Sequence, residues 1–259
     1  MTLAGKNIVV LDLETLQSAD DCRHCGQAES AHYAHGACAP WEGQRPADHL
    51  TQFSALGWND KPALGLSIGC WFAYQDGQLH WFDVYTLEAT MRAFVDGQPL
   101  LVSFNGIGFD FPLMRGLVRR EADTLRQRNY GLGLDVEVAE MMTALCDDFK
   151  TLCATSYDIL AEIWKQAPVD KYKRGLNSLD ALCQANDLPA KEMDGSTAPR
   201  LWQQGRCAEV IQYNVGDVLR TKALFELILT QGNILRGDGL PIYLPLPAQL
   251  ADDIPCEEQ

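Results

Sequence analysis

The stretch VVLDLET, residues 9–15, sets two carboxylates two positions apart in a run that otherwise reads as a buried β-strand. Residues 7–14 have the alternation of such a strand: Ile8, Val10, Asp12 and Glu14 share one face, and Val9, Leu11 and Leu13 the other. The two acids therefore point the same way, about 6–7 Å apart at Cβ. Burying charge is costly unless something meets it. A lone D-x-E pair is equally a solvated strand end, so its meaning depends on what else reaches that face.

The remaining pattern is that of one α/β domain carrying an insertion. Residues 18–60 are poor in Ile, Leu and Val and rich in Ala, His, Cys, Gly and Asp, as an irregular insert would be. LGLSIGCWFAY and LHWFDV, joined by QDGQ, read as an antiparallel hairpin. TLEATMRAFVDG reads as a helix with Thr86 as its cap and Gly97 past its end. PLLVSFN is a further buried strand, and FDFPLMRGLVRR a helix that tolerates Pro112 in its first turn. Residues 135–165 read as mostly helical, with SYDILAEIW open between strand and helix. NSLDALCQAN is a short helix capped by Asn177, and RCAEVIQYNVGDVLRTKALFELIL is the longest helix signal. The tail from Gly237 is rich in Pro and acids. The expected division is a main domain of residues 1–17 and 61–235, an insertion at 18–60 and a tail at 236–259.

A chain of 259 residues with 47% hydrophobic residues can bury a sizeable core. No run approaches the ~18 apolar residues of a membrane span, and MTLAGKNIVVL has no basic leader. A soluble, cytoplasmic protein without a membrane partner is expected. Nine scattered cysteines, an odd number, point to a reducing compartment and mostly buried thiols. The net charge of −14 argues against broad attraction to polyanions or anionic membranes. Any nucleic acid must be held locally, through metals or a basic patch.

Two further acids stand out. Asp110, in SFNGIGFDFP, sits where a strand ends and a helix begins, a place where Asp commonly serves as an N-cap. Tyr213 and Asp217, in YNVGD, are spaced i, i+4 on one helical face. With Ile211, Val215, Val218, Phe225 and Leu229 as the core stripe, this pair is expected to face a cleft or solvent.

Taken together, LDLET, SFNGIGFDFP and YNVGD resemble the three ordered motifs of the DEDD exonuclease superfamily of ribonuclease H-like fold, in its tyrosine-containing branch. The block SLDALCQANDLPAKEMDGSTAPRLWQQGRCAEVIQYNVGDVLRTKALF is also similar to stand-alone exonucleases related to the proofreading domain of family B DNA polymerases. The resemblance spans roughly residues 5–16 and 62–232, and the ordered trio is more specific than any one motif. It implies a mixed central sheet flanked by helices and a 3′-5′ exonuclease acting on single-stranded nucleic acid, DNA rather than RNA. It implies two Mg²⁺ or Mn²⁺ ions about 3.5–4 Å apart. Asp12 would bridge them, Glu14 and Asp217 would complete the nucleophile-side ion, and Asp110 would hold the second, chiefly through water. Tyr213 would orient the attacking water, since a phenol with a pKa near 10 is a poor base. The histidine branch would place His at position 212, which is Gln here. Next to the second motif, Ser103, Asn105 and Phe109 are expected contacts for the terminal nucleotide; Phe109 reads equally well as core packing.

CRHCGQAESAHYAHGAC, residues 22–38, has spacings that suit a structural zinc held by Cys22, Cys25, His32 and Cys38, with His35 as the alternative to His32. Such a closed site supplies structure and no chemistry, and the superfamily ordinarily lacks this insert. Basic residues gather at Arg115, Arg119, Arg120, Arg126 and Arg128 and again at Lys165, Lys171, Lys173 and Arg174. They read as solvated faces or as phosphate contacts, with Trp164 or Tyr172 offering a stacking surface. Two other readings compete: an endonuclease of the same broad fold, and a catalytically silent module that recruits a protein or nucleic acid. The Tyr213–Asp217 spacing speaks against the first, and the presence of all four acids against the second.

Overall fold

The computed structural model describes residues 3–21, 55–128, 133–171, 173, 175–191 and 193–253. The cysteines and histidines assigned to zinc, together with Tyr172 and Arg174, lie outside the described residues. Strand β1 (Ile8–Thr15) is central in a five-stranded sheet of order β3-β2-β1-β4-β5. The hairpin β2 (Leu66–Ala73) and β3 (Gln78–Phe82) runs antiparallel on one side of β1. On the other side β4 (Leu100–Ser103) and β5 (Tyr157–Asp158) run parallel to it. SYDILAEIW resolves into both of its readings, with β5 passing directly into helix α4 (Ile159–Gln166).

The alternation along β1 decides what covers each face. Val9, Leu11 and Leu13 pack with α1 (Leu87–Gly97), α2 (Asp110–Arg128) and α3 (Gly133–Cys153), through Met91, Phe94, Met114 and Phe149 among others. Ile8 and Val10 pack instead with α5 (Leu179–Ala185) and α7 (Cys207–Gln231), through Leu182, Val218, Phe225 and Ile228. Short α6 (Ala198–Gln203) and the start of α7 close the far end of this face, where Leu201 and Val210 meet Ile68. Asp12 and Glu14 thus continue the strand face on which α7 lies. A five-stranded mixed sheet with seven helices among the described residues fits a ribonuclease H-like fold. None of these helices is long and apolar enough to cross a membrane.

Several local expectations change. The α7 face that meets the sheet is Val210, Tyr213, Asn214, Asp217, Val218, Thr221, Leu224, Phe225 and Ile228, all buried. Ile211 and Val215 are only half-buried, so the stripe is rotated from the one expected, and Tyr213 and Asp217 point inward. A purely apolar template misplaces this stripe because polar groups occupy its first turns. Thr86 precedes α1 but bonds Asp83 rather than a helix N–H, while Gly97 is the last helical residue and Gln98 takes the left-handed turn at φ 47°. Ser178, not Asn177, caps α5, accepting from Ala181 N at 3.3 Å. In the tail, β7 (Pro241–Tyr243) pairs with β6 (Asn233–Leu235), and Ile242, Leu244 and Leu250 join the core.

Two polar clamps hold the loops around the acid-bearing end of β1. Leu56 N donates to Asp21 O at 2.9 Å and Gly57 N to Ala19 O at 2.8 Å, so residues 19–21 and 56–57 lie side by side. Asp158, 1% exposed, caps α4 through Ala161 N and also accepts from Asn105 N at 3.0 Å and Ile107 N at 2.9 Å. One carboxylate therefore fixes both a helix start and the loop that leads to Asp110. Asp158→Ala leaves these donors without their acceptor and is expected to lower unfolding stability by about 2–4 kcal/mol. Chemical denaturation measures this, and a loss below about 1 kcal/mol, the size of an ordinary cap, contradicts the double role.

Candidate active site

Strand β1 and helix α7 bring three carboxylates together: oxygens of Asp12, Glu14 and Asp217 all lie within 4.8 Å of one another. The strand supplies two acids on one face, and a register shift between Glu14 and Thr15 ends its regular pairing with β2 just beyond them. The helix supplies the third because its inward stripe passes through position 217. Asn214, one turn earlier and fully buried, donates to Asp12 Oδ2 at 2.8 Å and fixes that carboxylate. Asp110 opens α2; it is 3% exposed and its Oδ2 has no hydrogen-bond partner among the described residues. The N-cap alternative for Asp110 finds no support, since it lies within the helix. It stands outside the 4.8 Å set, yet near enough for Asp12 to act on its charge.

Electrostatics sets these acids apart from surface carboxylates. Burial, followed by the charge of Asp217, pushes the Asp12 pKa up to about 8 against the opposing pull of Lys191 and Asn214. Glu14 is raised well above the carboxylate range by burial and then by Asp12 and Asp217. Asp110 is raised likewise by burial, Asp12 and Asp158. Ionised together, they need a cation. The donor set is all hard oxygen, as Mg²⁺ and Mn²⁺ prefer, and Asp110 contributes an unpartnered buried oxygen. On both counts the residues present fit divalent ions.

Tyr213 lies on the inward stripe and is buried. Its Oη accepts from Lys191 Nζ at 2.8 Å, and a Cβ at residue 195 would come within 2.7 Å of that oxygen, so a side chain there would crowd the phenol. Burial and the charges of Asp217 and Glu14 hold its pKa far above the usual phenol value, so it keeps its proton. Lys191 Nζ also donates to Asp217 Oδ2 at 2.6 Å and is, among the described residues, the cation nearest the cluster. A cavity of about 450 Å³ adjoins Lys191, lined also by Asp180, Met193, Asp194 and Gly195.

The expected substrate contacts separate. Asn105 is half-buried at the turn before α2 with φ 70°, a left-handed conformation Asn tolerates. Phe109 is partly buried against the core and meets Trp58 edge-on at 5.8 Å between ring centroids. Ser103 is fully buried beneath Gly106 and does not reach the cleft surface, because every side chain of the interior strand β4 is buried on whichever side of the sheet it lies. The basic groups expected to meet phosphate are largely paired at home: Arg119 with Asp147, Arg120 with Asp60, Arg126 with Asp123, Lys165 with Glu162 and Lys173 with Asp170. Arg115 donates to Cys146 O, and Lys171 lies over the Trp164 ring, which takes that ring as a stacking surface.

Sequence reasoning missed Lys191, Asn214, Arg220 and Asp158. Lys191 sits in an irregular stretch that carries no periodic signal. Arg220, spaced i+3 from Asp217, and Asn214, spaced i−3, were readable as helix-face neighbours of the acid.

Residues 161–236 match the model of a family described as a predicted 3′-5′ exonuclease related to the exonuclease domain of PolB, in agreement with the resemblance drawn from the sequence motifs. The matched stretch contains Lys191, Tyr213 and Asp217 and stops short of Asp12, Glu14 and Asp110. Neither the comparison with curated proteins nor that with solved structures gives a match.

An acid whose folded pKa is raised favours the fold below its unfolded pKa of about 4, and that advantage is lost as pH rises through the folded value. Without divalent ions, the melting temperature is expected to fall between about pH 5 and 9. Asp12→Asn flattens that fall, and Mn²⁺ raises the melting temperature of the wild type only. Equal Mn²⁺ stabilisation of wild type and variant, by differential scanning fluorimetry across pH, contradicts this reading.

Proposed function

We propose that the protein is a metal-dependent 3′-5′ exonuclease that hydrolyses phosphodiester bonds at the 3′ end of single-stranded nucleic acid, DNA in preference to RNA. The observation that carries the reading is the meeting of Asp12 and Glu14 with Asp217, more than 200 residues later in the chain, within 4.8 Å. Asp12, Glu14 and Asp217 would hold one divalent ion, and Asp12 and Asp110 a second. Bound there, the ions supply water activation and stabilise the charge that develops on the scissile phosphate.

The chain's own groups then divide the remaining tasks. Asn214 keeps the Asp12 carboxylate in one orientation. Tyr213, which stays protonated, donates toward the attacking water and so positions it without acting as a base. Lys191 brings positive charge to an otherwise anionic cleft and lies close enough to the acids to face a substrate phosphate. Phe109, with the 65% exposed Trp58 ring edge-on beside it, offers packing for a terminal base. Zinc bound by Cys22, Cys25, His32 and Cys38 belongs to the proposal as a structural element of the insert.

End-labelled linear single strands and circular DNA, each incubated with Mn²⁺ or Mg²⁺, test the reading. Release of nucleoside monophosphates from linear strands alone, abolished in Asp12→Ala, is expected; cleaved circles mark an endonuclease, and intact substrates a silent module. Tyr213→Phe is expected to lower kcat by about 10²-fold with little change in KM. An unaltered kcat removes Tyr213 from the reaction.

A further inference from the structure

Arg220 stands one helical turn beyond Asp217 and is 8% exposed. Its guanidinium donates in three directions: Nη1 to Asp217 Oδ1 at 3.0 Å, Nε to Pro189 O at 3.1 Å and Nη2 to Ala190 O at 2.6 Å. A buried arginine needs such partners, and the planar fork can serve three fixed acceptors at once where a lysine ammonium cannot hold the same geometry. The two carbonyls belong to the irregular stretch that delivers Lys191, whose Nζ takes the other oxygen of Asp217 at 2.6 Å. One side chain thus joins an acid of the cluster to the segment carrying the cation nearest it.

Gly216 belongs to the same device. A Cβ at that position would lie 2.8 Å from Arg220 Nη1, and the guanidinium, pinned by three hydrogen bonds, has no free direction in which to yield. Glycine is unfavourable in a helix interior, and its place in YNVGDVLR is explained by the arginine that must lie across it.

We infer that Arg220 is a positioning residue for the divalent-ion site, with Gly216 giving it room: it occupies Asp217 Oδ1, fixes the rotation of that carboxylate, and leaves Oδ2, on which the Lys191 ammonium sits at 2.6 Å, as the oxygen that a metal would take in the ammonium's place. The inference rests on the metal-dependent reading above. An ordinary buried ion pair would contribute to folding and leave metal affinity in the folded protein unchanged. A positioning role changes affinity even where folding survives, since residues that orient metal ligands typically account for about 10–100-fold in metal affinity.

The test is calorimetric titration of Mn²⁺ into the full-length wild type, Asp217→Asn, Arg220→Lys and Gly216→Ala, with melting curves for each. Arg220→Lys and Gly216→Ala both keep the positive charge beside the site, so a change in affinity reports geometry rather than net charge. Mn²⁺ affinity is expected to fall about tenfold or more in both. It should fall in Gly216→Ala even if alanine raises the melting temperature through its helix preference. Wild-type affinity in both variants, with binding lost in Asp217→Asn, overturns the positioning role and leaves the metal site standing. Absence of Mn²⁺ binding by the wild type overturns both.

Discussion

The packing of α7 against the acid-bearing face of β1 is the contact on which the rest depends. Ile8 and Val10 anchor it through Val218, Phe225 and Ile228, and the same strand face continues into Asp12 and Glu14. The inward stripe of the helix likewise passes from apolar residues into Tyr213, Asn214 and Asp217. A single two-layer interface therefore has a dry half, which supplies the hydrophobic energy, and a polar half, which holds the chemistry. Because the side-chain period of the strand is two, a slip of one residue in β1 would send both of its acids to the opposite face and dissolve the cluster.

That polar half is unstable by itself, and the surrounding residues show how the strain is contained. Burial and mutual repulsion raise the pKa of Asp12, Glu14 and Asp110, while the positive groups in direct contact with the acids, Lys191 and Arg220, both act on Asp217. Asn214 offers Asp12 a neutral donor instead. The deficit of positive charge matches a chain with a net charge of −14, in which many of the arginines and lysines elsewhere among the described residues, Arg119, Arg120 and Arg126 among them, are paired with acids. On the proposed reading, divalent ions would supply the missing counter-charge.

How far the sequence could be read depended on the range of the determining interaction. The face shared by Asp12 and Glu14 follows from strand alternation alone, and the β2–β3 hairpin from its turn, so both were legible. The rotation of α7 was not, because Tyr213, Asn214 and Asp217 look like an exposed polar face until a carboxylate-bearing strand is set opposite them. Ser103 was expected to touch the terminal nucleotide because it adjoins the second motif, yet as the last residue of the interior strand β4 it is fully buried. Lys191 and Asp158 act across 26 and 53 residues, on Asp217 and Asn105 respectively, and no local pattern announces them. The motif order conveyed which acids belong together; only the packing conveyed what holds them.

The most direct measurement is a crystal structure grown with Mn²⁺ and examined by anomalous scattering at the manganese edge. The account predicts anomalous density among the carboxylates of Asp12, Glu14 and Asp217, with the Lys191 ammonium withdrawn from Asp217 Oδ2. Manganese bound only elsewhere, with Lys191 still seated on Asp217 at saturating Mn²⁺, would contradict it.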